Sequence, residues 1–211
     1  MPSRPPRPHD ERAIPVIPLA ELPRLADELA ARVRASGFAP DVIVFVETGA
    51  RLLADELRKI FGVPALPIVV KRGGHGVKKL LAPMAARLPA ALRDWLRRAE
   101  ERSGVQRLTR RDASLPRETN AVRGRVLLVD DASDTGRTLA VARELLEAHG
   151  IAPGEVRTAV LAATTERGRA AVDFFVYDRN CRMPWSSDSE ELAAARERME
   201  RISFSDEARP L

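Results

Sequence analysis

Three aspartates, two threonines and a glycine fall between positions 130 and 138: Asp130, Asp131, Asp134, Thr135, Gly136 and Thr138. Adjacent carboxylates can accept hydrogen bonds from the two hydroxyls of a vicinal diol, or help to hold a divalent cation. The threonine hydroxyls, beside a glycine that lets the backbone approach a ligand closely, suit a phosphate monoester. Asp134 adds a third acidic group within reach of whatever sits above the sugar. The elements on either side set this chemistry in place. Residues 126–129 form an unbroken apolar run, the pattern of a strand buried on both faces. Leu139, Ala142 and Leu146 then recur at helical spacing. A turn opening into a helix aims unpaired backbone N–H groups at one point, beside the positive end of the helix dipole. Strand, acidic pair, turn and helix together make a unit that can hold a phosphorylated sugar.

The rest of the chain is read outward from this unit. Residues 13–17 predict a short strand or extended lead-in. Leu22, Leu25, Leu29 and Val33 predict an amphipathic helix, with Pro23 in its first turn and Gly37 as its C-cap. Residues 42–46 predict a second buried strand. Glu47, Thr48, Gly49, Ala50 and Arg51 form the turn after it, and Leu53, Leu57 and Ile60 mark the next helix. Residues 65–70 predict a third strand, ending in Lys71 and Arg72. Strand, helix and strand in sequence imply parallel pairing with a right-handed crossover. Open α/β sheets bind ligands at the carboxyl ends of their strands, so the 47–51 turn is a second site candidate. Lys71, Arg72 and the glycine-rich loop behind them are a third: cationic donors that stabilise a departing polyanion, or a solvated basic loop. Residues 77–103 predict a helical insertion interrupted by prolines, and residues 104–124 a polar loop. Strands are expected at 156–164 and 174–177, a capping box at Ser187 and Glu190, and a final helix through Leu192, Ala195, Met199 and Ile202.

Composition sets bounds. A chain of 211 residues suits one α/β domain, expected here over residues 13–211 behind a Pro- and Arg-rich disordered tail at 1–12. One cysteine, Cys181, excludes an internal disulfide and fits a reducing cytoplasm. The net charge of +5 comes from interspersed basic and acidic residues, without an RNA-recognition aromatic pattern. A basic surface suits a polyanionic substrate as well as it suits nucleic acid, and the expectation is no nucleic-acid partner. No apolar run reaches membrane-spanning length.

The stretch through Asp130, Asp131, Asp134, Thr135, Gly136 and Thr138 resembles the phosphoribosyl-pyrophosphate (PRPP) motif of the type I phosphoribosyltransferases. The nearest pattern is that of the bacterial 6-oxopurine enzymes. The resemblance implies an α/β fold with a parallel central sheet flanked by helices, a small C-terminal hood at about 165–188, and a likeness of residues 104–124 to a loop that closes over the site. It implies transfer of 5-phosphoribosyl from PRPP to a nitrogenous acceptor, a purine base being the leading choice, with Mg2+ and release of pyrophosphate. Asp130, Asp131, Ala132, Ser133, Asp134, Thr135, Gly136, Arg137 and Thr138 would hold the ribose and 5′-phosphate, with Asp130 and Asp131 also at the metal. Asp134 matches the position that contacts the base and takes its proton. Glu47, Thr48, Gly49, Ala50, Arg51, Lys71 and Arg72 would take the pyrophosphate. A homodimer is expected.

Three departures from that pattern bear on function. Ala50 stands where several members of the resembled family carry a second glycine, adding a methyl group and disfavouring positive φ. Thr164 falls where the 6-oxopurine enzymes place a lysine. Asn180 falls near the base-stacking position, which leaves Tyr177 or Trp185 to stack on the acceptor, unless both are packing residues of the core. These features keep open a non-purine acceptor, or a protein that senses PRPP or nucleotides without turnover. Residues 126–131 also resemble the first strand of a response-regulator receiver, but only 33 residues follow Asp178, too few for the remainder of that fold.

Overall fold

The computed structural model describes residues 14–47, 49–70, 113–114 and 122–204. The expectations for residues 1–12, Thr48, Lys71, Arg72, the 77–103 insertion and most of the 104–124 loop lie outside the described residues. Six strands form one sheet: β1 (Val42–Val46), β2 (Ala65–Val70), β3 (Ala113–Ser114), β4 (Val126–Ser133), β5 (Val156–Ala163) and β6 (Phe174–Tyr177). Their order is β3-β2-β1-β4-β5-β6. The five longer strands are mutually parallel, and β3 pairs antiparallel with β2 inside the stretch expected to be loop.

Alternation along the strands explains the layers. Ile43, Phe45, Leu127, Val129 and Leu161 point to one face, where α1 (Leu22–Ala35) and α2 (Arg51–Phe61) bury Leu25, Leu29, Leu53 and Leu57 against them. Val44, Val46, Leu128 and Val160 point to the other, under Leu139, Ala142 and Leu146 of α3 (Arg137–Ala148). The crossover from β1 through α2 to β2 and the crossover from β4 through α3 to β5 travel in opposite directions across the sheet. Right-handed connections therefore place their helices on opposite faces. The reversal lies between β1 and β4, and it opens a crevice at their carboxyl ends.

Several local expectations change. β4 continues past the acidic pair, because Ala132 and Ser133 still pair with Ala162 and Ala163 of β5. A short unpredicted helix, α4 (Glu166–Ala170), follows β5, with the Thr165 hydroxyl accepting from the Gly168 N–H at 3.0 Å. The capping box at Ser187 and Glu190 does not form. The last described helix, α5 (Leu192–Glu200), begins at Glu191 without a side-chain cap, since the Glu191 carboxylate instead accepts from the Leu19 N–H at 2.8 Å. The lead-in is a single parallel bridge between Val16 and Arg182, and it ties the chain before α1 to the hood segment. No helix among the described residues is long and apolar enough to cross a membrane.

Candidate active site

β4 carries Asp130 and Asp131 to the crevice. Asp130 is buried, and one of its oxygens accepts from the Asp131 N–H at 2.9 Å. Asp131 is half-buried. Its Oδ1 accepts from the Ala132 N–H at 2.7 Å, and its Oδ2 accepts from the indole N–H of Trp185 at 2.9 Å. This carboxylate lies directly on the backbone of Gly49, in the turn after β1. A Cβ at position 49 would sit 2.4 Å from Asp131 Oδ2 and 2.6 Å from its Cγ. The turn and the end of β4 meet because β1 and β4 are neighbours, and only a residue without a side chain allows so close an approach.

The turn after β4 is short. Gly136 is the N-cap of α3 at φ +73°, and a methyl group there would strike Ala171. No side chain caps α3, so its first turn presents backbone N–H donors at the crevice. Thr135 is exposed and Thr138 and Arg137 are half-buried around this cradle. Ser133 is buried in the sheet, and its hydroxyl donates to the Gly168 carbonyl at 3.4 Å. Asp134 is exposed, and the Thr164 hydroxyl donates to its Oδ1 at 2.9 Å. The Thr165 hydroxyl donates to the Asp134 carbonyl, so both threonines fix this aspartate from the segment between β5 and α4.

The turn after β1 adds two observations. Ala50 adopts φ −88° in the helical region and buries its methyl in the core, so the glycine found in relatives is not required by its backbone. Arg51 does not face the crevice. Its Nε donates to the Met199 carbonyl at 3.1 Å, its Nη2 to the Ile202 carbonyl at 2.8 Å, and its Nη1 to Glu47 at 3.1 Å. The guanidinium also stacks 5.1 Å over the Phe204 ring. Two of its donors thus hold the segment after β6 and a third holds Glu47, which gives the side chain a structural role.

A cavity of about 720 Å³ occupies the crevice. Glu47, Gly49, Asp130 and Asp131 form its floor, and Trp185 with Ser186 forms a wall. Leu192, Arg196 and Met199 of α5, at helical spacing, complete it. The wall thus reaches beyond the hood expected at 165–188. Tyr177 is not on it and packs instead with the α1–α2 core. Thr164 lies at the β5 end beside Asp134. Arg196 does not stand out in the sequence, where it reads as one charge on a solvated helical face. It has no ion pair or hydrogen bond among the described residues and brings a cation to the cavity.

The phosphoribosyl transferase domain model matches residues 19–193, and the chain belongs to that family. The fold and family are those of phosphoribosyltransferase enzymes. Solved structures of similar fold include a purine phosphoribosyltransferase from Pyrococcus horikoshii, with 24% identity, a TM-score of 0.53, and coverage of 82% of this chain and 93% of that one. A xanthine-guanine-hypoxanthine phosphoribosyltransferase from Helicobacter pylori shows 16% identity, a TM-score of 0.52 and coverage of 85% and 98%. A Neisseria gonorrhoeae protein with bound ppGpp shows 18% identity, a TM-score of 0.52 and coverage of 91% and 98%. No curated protein sequence matches the chain.

Proposed function

We propose that the chain transfers 5-phosphoribosyl from PRPP to a nitrogenous acceptor, with a purine base as the leading acceptor and pyrophosphate as the second product. One observation carries this reading: the Asp130–Asp131 pair lines the same cavity as the Gly49 turn, directly before an uncapped helix N-terminus. The α3 N–H groups receive the 5′-phosphate, and the carboxylates receive the ribose hydroxyls. As the bond to pyrophosphate breaks, positive charge develops on the sugar, and the same carboxylates stabilise it. Arg196 faces the leaving group's negative charge from α5. Asp134, held by Thr164, accepts the acceptor's proton.

Asp130 and Asp131 offer the hard oxygen donors that suit Mg2+, an ion commonly held by one or two carboxylates and substrate phosphates. When bound, the ion offsets the charge of the pyrophosphate oxygens.

The experiment is calorimetric titration with Mg-PRPP, followed by pyrophosphate release across a panel of purines, pyrimidines and other amines. Release with a purine is the expected result. Lack of any PRPP binding would sink the proposal. Tight binding without release with any acceptor would favour a PRPP or nucleotide sensor, a reading that the ppGpp-bound Neisseria neighbour keeps in view. Light scattering checks the expected homodimer.

A further inference from the structure

Trp185 is expected from the sequence to pack in the core or to stack on the acceptor, yet its polar edge is turned to the donor side of the cavity. The indole N–H reaches Asp131 Oδ2 at 2.9 Å, and a bond from Nε1 lies in the ring plane, so the ring's edge and not its face meets the carboxylate. The other oxygen of Asp131 is held by the Ala132 N–H at 2.7 Å. Gly49 blocks the carboxylate from behind, with its Cα bare against both oxygens. Three contacts from three separate parts of the chain therefore fix one side chain at one rotamer. Asp131 is the half-buried member of the pair, the one that a ligand can reach most readily.

We infer that Trp185 is a positioning residue for PRPP: its indole orients the Asp131 carboxylate for the donor's ribose. This rests on the donor reading above. A hydrogen bond to a charged acceptor is worth about 1.5–3 kcal/mol, or about 10- to 100-fold in affinity. The link also joins the hood to the acidic pair, so a change at the hood alters donor binding before any acceptor arrives.

The test is a double-mutant cycle on Mg-PRPP affinity without acceptor, using Trp185→Phe, Asp131→Ala and the pair. Phenylalanine keeps much of the ring's packing and removes the donor. Trp185→Phe is expected to weaken PRPP about tenfold in the wild-type background and to change it less than about twofold in the Asp131→Ala background. The KM of the acceptor should stay within about twofold, which a stacking platform would not allow. Equal losses in both backgrounds, or no loss in either, overturn the inference. No PRPP binding by the wild-type protein overturns the donor reading, and this inference with it. Should Trp185→Phe fail to fold, the indole N–H resonance decides the matter. Assigned by its persistence in Trp95→Phe, it must move upfield in Asp131→Ala; an unmoved resonance overturns the inference.

Discussion

Gly49→Ala is the sharpest perturbation of this site, because its consequence is fixed by distances. The backbone of Gly49 lies outside the left-handed region, so alanine adds no backbone strain. Its methyl would stand 2.4, 2.6 and 2.9 Å from Asp131 Oδ2, Cγ and Oδ1. Ordinary van der Waals contact begins near 3.4 Å, so the carboxylate must retreat by about 1 Å, or the turn must. A shift of the carboxylate stretches the bonds from Ala132 at 2.7 Å and from Trp185 at 2.9 Å, and a shift of the turn displaces the cavity floor beside it. A 1 Å misplacement at a reacting centre can cost about 100-fold, while overpacking a tight site destabilises by about 1–3 kcal/mol. The expected outcome is a roughly 100-fold fall in kcat/KM for PRPP by continuous pyrophosphate detection, alongside a melting temperature lowered by no more than about 12 °C. Activity within about threefold of wild type, in a folded variant, would refute the claim that the Gly49 turn sets the carboxylate.

Four further outcomes are expected. Arg51→Lys keeps the charge but loses most of the fork to Met199, Ile202 and Glu47 and the stack on Phe204, and should cost about 2 kcal/mol and about 4–8 °C in Tm by calorimetry. Thr164→Val removes the donor to Asp134 and should lower kcat about fivefold in steady-state kinetics, with Mg-PRPP affinity unchanged by titration. Arg196→Ala should weaken PRPP about tenfold and reduce the salt dependence of its binding, measured by titration at two ionic strengths. Burial pushes the Cys181 thiol up, so less of it is thiolate at about pH 8; iodoacetamide should alkylate it at least about tenfold more slowly in the native protein than in urea, followed by mass spectrometry.

The parts of this site that are legible in the sequence are those assembled locally. The strand at 126–129, the acidic pair, the Gly136 turn and the helix behind it are contiguous, and each obeys a short-range rule. The end of β4 is not legible, because Asp130 and Asp131 look like a strand terminus until β5 is seen to pair through Ala163. Arg51 escapes the sequence for a similar reason: its partners Met199 and Ile202 lie 148 and 151 residues away. Trp185 meets Asp131 across 54 residues, and no spacing rule reports that contact. α4 spans five residues, too few for periodicity to register. Arg196 requires knowing which face of α5 covers the cavity. Tyr177 shows the converse: an aromatic close to the site in sequence can pack, half-buried, against the core and lie off the cavity wall.

The bond from Arg51 to the end of α5 also bears on how the site is held together. The phosphate cradle joins neighbouring residues, and such contacts cost little chain entropy and form quickly. The α5 wall closes a loop of 148 residues through that guanidinium, helped by the ion pair of Arg198 with Glu56. The two halves of the site thus differ in what holds them. The phosphate grip lies within one short stretch, whereas the wall that encloses a substrate hangs on an arginine spanning 148 residues. Damage at either end of that bond opens the cavity and leaves the grip in place.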